Sequence, residues 1–163
     1  MRRLLGLLLG LMVVAATTGA ASPSVTGNGS VHHGPPDQVL GLMVQKEDLT
    51  KTLAAEKRPL YVDRVGLYSF REPSKLLEGT LQISHFRHSA PYTSNDFQVA
   101  IVGHLGSSLP IVVRVSGQPV YITTAKGLVL AVWFRQDYMM TLSIRHTYTQ
   151  PKELLRQALE INP

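Results

Sequence analysis

Histidine is the side chain best suited to chemistry near neutral pH, and His85 and His88 lie three positions apart in the run HFRH, with a second pair, His32-His33, nearer the N-terminus. A zinc site needs three or four convergent N, S or O ligands held by a supporting outer shell. No carboxylate and no third histidine stands at ligand spacing from His85, and the chain has no cysteine, so no metal ligand is expected. The serines lack the G-x-S-x-G elbow that exposes a nucleophile, and Gly106 to Pro110 (GSSLP) reads as the exit of a helix. A glycosidase places two acids across a cleft. Here Glu47 and Asp48 are adjacent, while Glu72 and Glu78 flank a turn. Gly103 to Gly106 (GHLG) is a helix end, not a phosphate cradle. No catalytic residue and no cofactor is expected.

What remains is suited to binding. Arg114, Arg135 and Arg145 fall on successive strands and would line up as a basic stripe for an anionic polymer or lipid headgroups, the alternative being an ordinary solvated sheet face. Trp133, Phe134 and Tyr138 would line a pocket or present a partner surface, although aromatics at strand spacing more commonly fill a core. The candidate surface is therefore Arg114, Arg135, Arg145, Trp133 and Tyr138. The remaining cations are scattered among acids, which argues against nucleic acid.

The elements that must carry these residues follow from punctuation and periodicity. Arg2 and Arg3 precede an apolar run from Leu4 to Ala16, and Thr17 to Ala21 are small, the pattern of a secretory signal peptide over residues 1–21 cut after Ala20 or Ala21. The alternative is a retained anchor, but a span needs ~20 apolar residues, so no stable span is expected after cleavage. The formal charge of +5 falls to +3 when Arg2 and Arg3 leave. Residues 22–37 are rich in Ser, Gly and Pro and read as a flexible linker. Asn28-Gly29-Ser30 matches the glycosylation sequon, a pattern that short Ser/Gly/Asn tracts produce by chance. Residues 38–163 then form a single domain that manages an oxidising destination without disulfides.

Within it, Lys46 to Leu49 and Lys51 to Lys57 read as weak helical turns ended by Pro59, and Leu60 to Phe70 as a strand with a kink or bulge at Gly66. From Leu76 to Phe86, Leu77, Gly79, Leu81 and Ile83 alternate with Glu78, Thr80, Gln82 and Ser84, which predicts one face in water. Asp96 in a first turn, Thr93 or Ser94 as cap and Gly106 as left-handed stop predict a helix to Leu105. Ile111–Val115, Val120–Thr124, Leu128–Arg135 and Tyr138–Arg145 are separated by turns too short for crossovers, so they must run antiparallel. Leu128–Arg135 is apolar on both faces and should lie centrally. Pro151 opens a last helix whose stripe, Leu154, Leu155, Ala158, Leu159 and Ile161, must dock on the sheet. The expected class is α+β, an antiparallel sheet of about six strands with two helices mainly on one face.

The segments VRVSGQPV (Val113 to Val120), LAVWF (Leu130 to Phe134), Tyr138 to Ser143 and PKELL (Pro151 to Leu155) continuing to Leu159 resemble extracytoplasmic sheet-plus-helix domains of unknown function found in bacterial secreted proteins and anti-sigma-factor ectodomains. The resemblance covers about the last third of the chain and implies sensing or binding with no catalytic residues to carry over. In this sequence three residues precede the apolar segment where the anti-sigma pattern has a cytoplasmic domain, so direct sigma-factor signalling is not expected. The expectation is a secreted, non-enzymatic module that binds an envelope or secreted protein, an anionic polymer or a small apolar ligand. The rivals are a structural or accessory component of a secreted complex and a hydrolase of unfamiliar geometry.

Overall fold

The computed structural model describes residues 36–49, 62–87 and 94–161. The leader, all of the linker before residue 36, the stretch from Lys51 to Lys57, the sequon and His32, His33 and His88 lie outside the described residues. Among the described residues no helix is long and apolar enough to cross a membrane.

The chain forms β1 (Gln38–Val39), β2 (Leu42–Asp48), β3 (Val62–Arg71), β4 (Leu77–Phe86), α1 (Asn95–Leu105), β5 (Ile111–Val115), β6 (Gln118–Ala125), β7 (Leu128–Arg135), β8 (Tyr138–Arg145) and α2 (Pro151–Glu160). Among the described residues one 8-stranded sheet results, in the order β1-β2-β3-β4-β8-β7-β6-β5, with every neighbouring pair antiparallel. Two meanders, one before α1 and one after it, therefore meet along the β4–β8 seam. The seam is close: a Cβ on Gly79 would lie 2.8 Å from the Ser143 carbonyl oxygen, so only glycine fits there.

The α+β class holds, with two more strands than the sequence suggests. Lys46 and Glu47 belong to β2 rather than to a helical turn, pairing with Tyr68 and Leu67 of β3. Their charges suit an outer strand, where they discourage a second sheet from pairing. The irregularities in β3 lie between Val62 and Arg64 and between Phe70 and Arg71, not at Gly66, which pairs regularly with Asp48 and Ile83. The first shift lets Val62 and Val65 face the same side of the sheet.

The two helices lie on opposite faces, not together. Ile101, Val102 and Leu105 of α1 pack with Tyr121, Leu130, Val132, Met139 and Phe86. Leu154, Leu155, Ala158 and Leu159 of α2 pack with Leu81, Ala131, Trp133, Met140 and Leu142. Leu130 and Ala131 alternate along β7, so the two clusters are separated by the sheet itself. Amphipathic periodicity tells a helix to bury one stripe but carries no information about which sheet face receives it. The two-sided apolar pattern of β7 was the available clue, because each face needs a cover.

Turns and end contacts hold these elements. Ser116-Gly117 and Lys126-Gly127 place two successive residues at positive φ, the primed turn whose twist matches a hairpin. Gly106 is extended at φ −99° and so is not a left-handed stop; a Cβ there would strike the side chain of Thr123. The Tyr121 hydroxyl donates to Asn95 Oδ1 at 2.9 Å or to Gln98 Oε1 at 3.0 Å, tying the first turn of α1 to β6. Arg135 Nη2 donates to the Leu159 carbonyl at 2.9 Å, supplying a cation to the last turn of α2, which has none of its own.

Burial pushes the Tyr121 phenol above its usual range. The same cause acts on Tyr148, with smaller additions from the negative charges of Glu78, Glu153 and Glu72. Both rings hold their protons more tightly folded than unfolded, so stability is undiminished below pH ~10 and falls as pH rises through the folded values. Urea midpoints taken between pH 9 and 11.5 should fall through that window, and Tyr121→Phe should flatten the fall. An unchanged slope in the variant contradicts the assignment.

Candidate functional site

The residues singled out from sequence do not form one surface. Arg135 points to the α2 side, where it bonds Leu159, whereas Arg145 stands on the α1 side beside Glu78. Because β7 and β8 run antiparallel, Arg135 pairs with Tyr138 and Arg145 with Leu128, at opposite ends of the hairpin. Arg114 sits on the outermost strand, its Nη1 donating to the Gly117 carbonyl at 3.2 Å. A basic stripe is thus prevented by side-chain parity and strand direction. Trp133 is wholly buried in the α2-side core, and its indole N–H has no hydrogen-bond partner. Tyr138 is half-buried against the His85 ring at 4.8 Å between centroids. Among the described residues no group of three or more His, Cys, Asp or Glu could hold a metal ion.

A different set of polar groups is gathered instead. Ser69, Thr80 and Ser143 stand in register across β3, β4 and β8, with Leu67, Gln82 and Thr141 as the next row. Of the four residues expected to face water on β4, three are buried, Glu78 at 5% exposed, Gln82 at 4% and Ser84 at 0%, while Thr80 is half-buried. Gln82 Nε2 donates to Ser84 Oγ at 3.0 Å. Glu78 Oε1 lies 3.7 Å from Arg145 Nη1, while Glu78 Oε2 and Thr141 Oγ1 are buried without a hydrogen-bond partner. Each such atom costs ~1–3 kcal/mol of lost hydration. The array can donate and accept hydrogen bonds. No described histidine stands beside it to activate a hydroxyl: His85 packs on Tyr138 across the sheet, and His104 and His146 are exposed. Alternation alone suggested a wet face. The signal missed was composition, since Ser, Thr and Gln occupy positions where a wet strand would carry Lys and Glu.

The most exposed apolar group lies at the far end of the sheet. The chain leaving α1 is fixed alongside β6 by Ser107 N–H to the Thr124 carbonyl at 2.7 Å and by Thr123 Oγ1 to the Ser108 carbonyl at 2.8 Å. It then turns outward: Leu109 is 91% exposed, Ile111 62%, Val112 55% and Val113 36%. On its inner side β5 pairs with β6, and among the described residues its outer side has no strand neighbour. The other end of the sheet is different, because β1 has two residues and β2 carries Lys46 and Glu47. The unbroken run LPIVV was readable as apolar, but a run of this kind ordinarily marks a covered central strand.

No family model and no curated protein matches this chain. Among solved structures, a GTP-binding regulator from Thermotoga maritima superposes with a TM-score of 0.44 at 11% identity, covering 78% of this chain and 90% of its own. A likeness of that size fixes neither fold nor activity.

The Glu78–Arg145 pair makes a prediction about the array. Arg145→Met strands a buried carboxylate and should cost about 2–3 kcal/mol, at or below the low end for a buried pair because Arg145 is partly open to water. Replacing both, Glu78→Leu with Arg145→Met, should restore most of that loss in urea unfolding. A double variant no more stable than Arg145→Met would show that the carboxylate is held by something other than the arginine.

Proposed function

We propose that this chain is an exported, non-enzymatic binding module that engages a protein partner through the open apolar edge at β5. The observation that carries this reading is the exposure of Leu109 and, on β5, of Ile111, Val112 and Val113, a strand whose outer side has no partner among the described residues. An edge strand offers unpaired N–H and C=O groups in a row, and natural sheets ordinarily guard such edges with charge, proline or a cover. Here Pro110 precedes the strand, and the one charge within it, Arg114, folds back on its own turn. Added strands bind through main-chain hydrogen bonds, with alternate side chains giving specificity. The signal-like pattern over residues 1–21 supports export, and the resemblance to extracytoplasmic sheet-plus-helix domains points the same way. Binding is favoured over hydrolysis because no described histidine stands beside the buried hydroxyls and the one carboxylate among them, Glu78, faces Arg145.

The test is capture from the native cell envelope by the tagged full chain, compared with Ile111→Lys/Val113→Lys. The wild type should retain a protein partner that the variant loses by at least tenfold, at an unchanged urea midpoint. Equal capture by both would remove β5 as the binding surface.

A further inference from the structure

We infer that the partner at β5 is a second copy of this chain, joined edge to edge about a two-fold axis at Val112 so that two sheets continue into one. The inference rests on the binding-module reading and names the partner. The two-residue turn Ser116-Gly117 makes Val115 and Gln118 a hydrogen-bonded pair, and Val113↔Val120 and Ile111↔Ile122 follow in alternation. Val112 and Arg114 therefore turn their N–H and C=O groups to the open edge. Antiparallel pairing centred on Val112 lets the two Val112 residues exchange both bonds, and each Arg114 N–H meets the other copy's Pro110 carbonyl. Pro110 has no N–H to return, so the Arg114 carbonyl opposite it stays turned to water at the end of the pairing.

The side chains are self-complementary in the same register. Ile111 meets Val113, Val112 meets itself, and the almost fully exposed Leu109 falls opposite Val115, which is partly buried against the α2-side core. Arg114 faces Pro110, so the two cations stand four residues apart along the strands, ~14 Å at 3.4 Å per residue. Shifting the axis to Val113 halves that separation and leaves Leu109 beyond the paired strands. Charge and apolar contact thus select the same register. The pairing also closes on itself, because the opposite edge carries Lys46 and Glu47 and a β1 of two residues, leaving no complementary edge to continue a fibre. So short a contact lies at the small end of stable interfaces, so dimer and monomer should exchange with concentration.

Sedimentation equilibrium of the exported protein, purified from its producing cells, over a hundredfold concentration range tests this. The wild type should pass from monomer to twice the monomer mass. Val112→Pro removes an outward N–H without touching the β5–β6 ladder, so it should weaken association at least tenfold at an unchanged urea midpoint. Arg114→Glu should leave association within about threefold. A monomer at every concentration, or dimerisation indifferent to Val112→Pro, overturns the second copy. If the protein is monomeric yet captures a different envelope protein and loses it in Ile111→Lys/Val113→Lys, the binding module survives without self-pairing. If it is monomeric and captures nothing, both readings fall.

Discussion

Burial of the same strands on both faces is the constraint from which the rest of the molecule follows. Leu130 and Val132 of β7 must be covered on one side, Ala131 and Trp133 on the other, and a single helix cannot do both. The chain meets this by placing one helix after each four-stranded meander and sending them to opposite sides. The sheet core then depends on close approach at the β4–β8 seam, where Gly79 leaves no room for a side chain. In a chain with no cysteine, this two-sided packing carries the stability that disulfides supply in many exported domains.

The same constraint explains where the polar residues went. Ser69, Gln82, Ser84, Thr141 and Ser143 lie on buried strands because the seam strands are enclosed, and their hydrogen bonds have to be found inside. Glu78 is the extreme case, a carboxylate in the interior with one oxygen near Arg145 and the other unpartnered. Such an array is expensive to bury, and uncharged hydroxyls keep that cost moderate. The most exposed apolar run lies at the outermost strand, so the sheet ends on Ile111, Val112 and Val113.

Much of this was legible in the residues. Helix α2 announced itself through Pro151 and its stripe, α1 through Asp96 and the apolar spacing to Leu105, and the last four strands through turns every ten residues. Trp133, a candidate for the binding surface, fills the α2-side core instead, as aromatics at strand spacing commonly do. Three features were not legible, each for a physical reason. Lys46 and Glu47 look helical locally, but pairing with β3 overrides propensity at a sheet edge. Alternation on β4 records two faces without saying which is wet. The arginines at 114, 135 and 145 share neither face nor end, because parity and strand direction are set by turns whose register a sequence does not display.

Residue-resolved native-state hydrogen exchange of the full chain measures the central claim directly. If two-sided burial governs the fold, the paired amides of β4, β7 and β8 should exchange only through global unfolding and share one opening free energy. In dilute, monomeric protein the amides of Val112 and Arg114 should exchange orders of magnitude faster than those of Val113 and Val115 beside them. Local opening of β4 and β8 well below the free energy of β7, or equal protection along β5 in the monomer, would contradict the account.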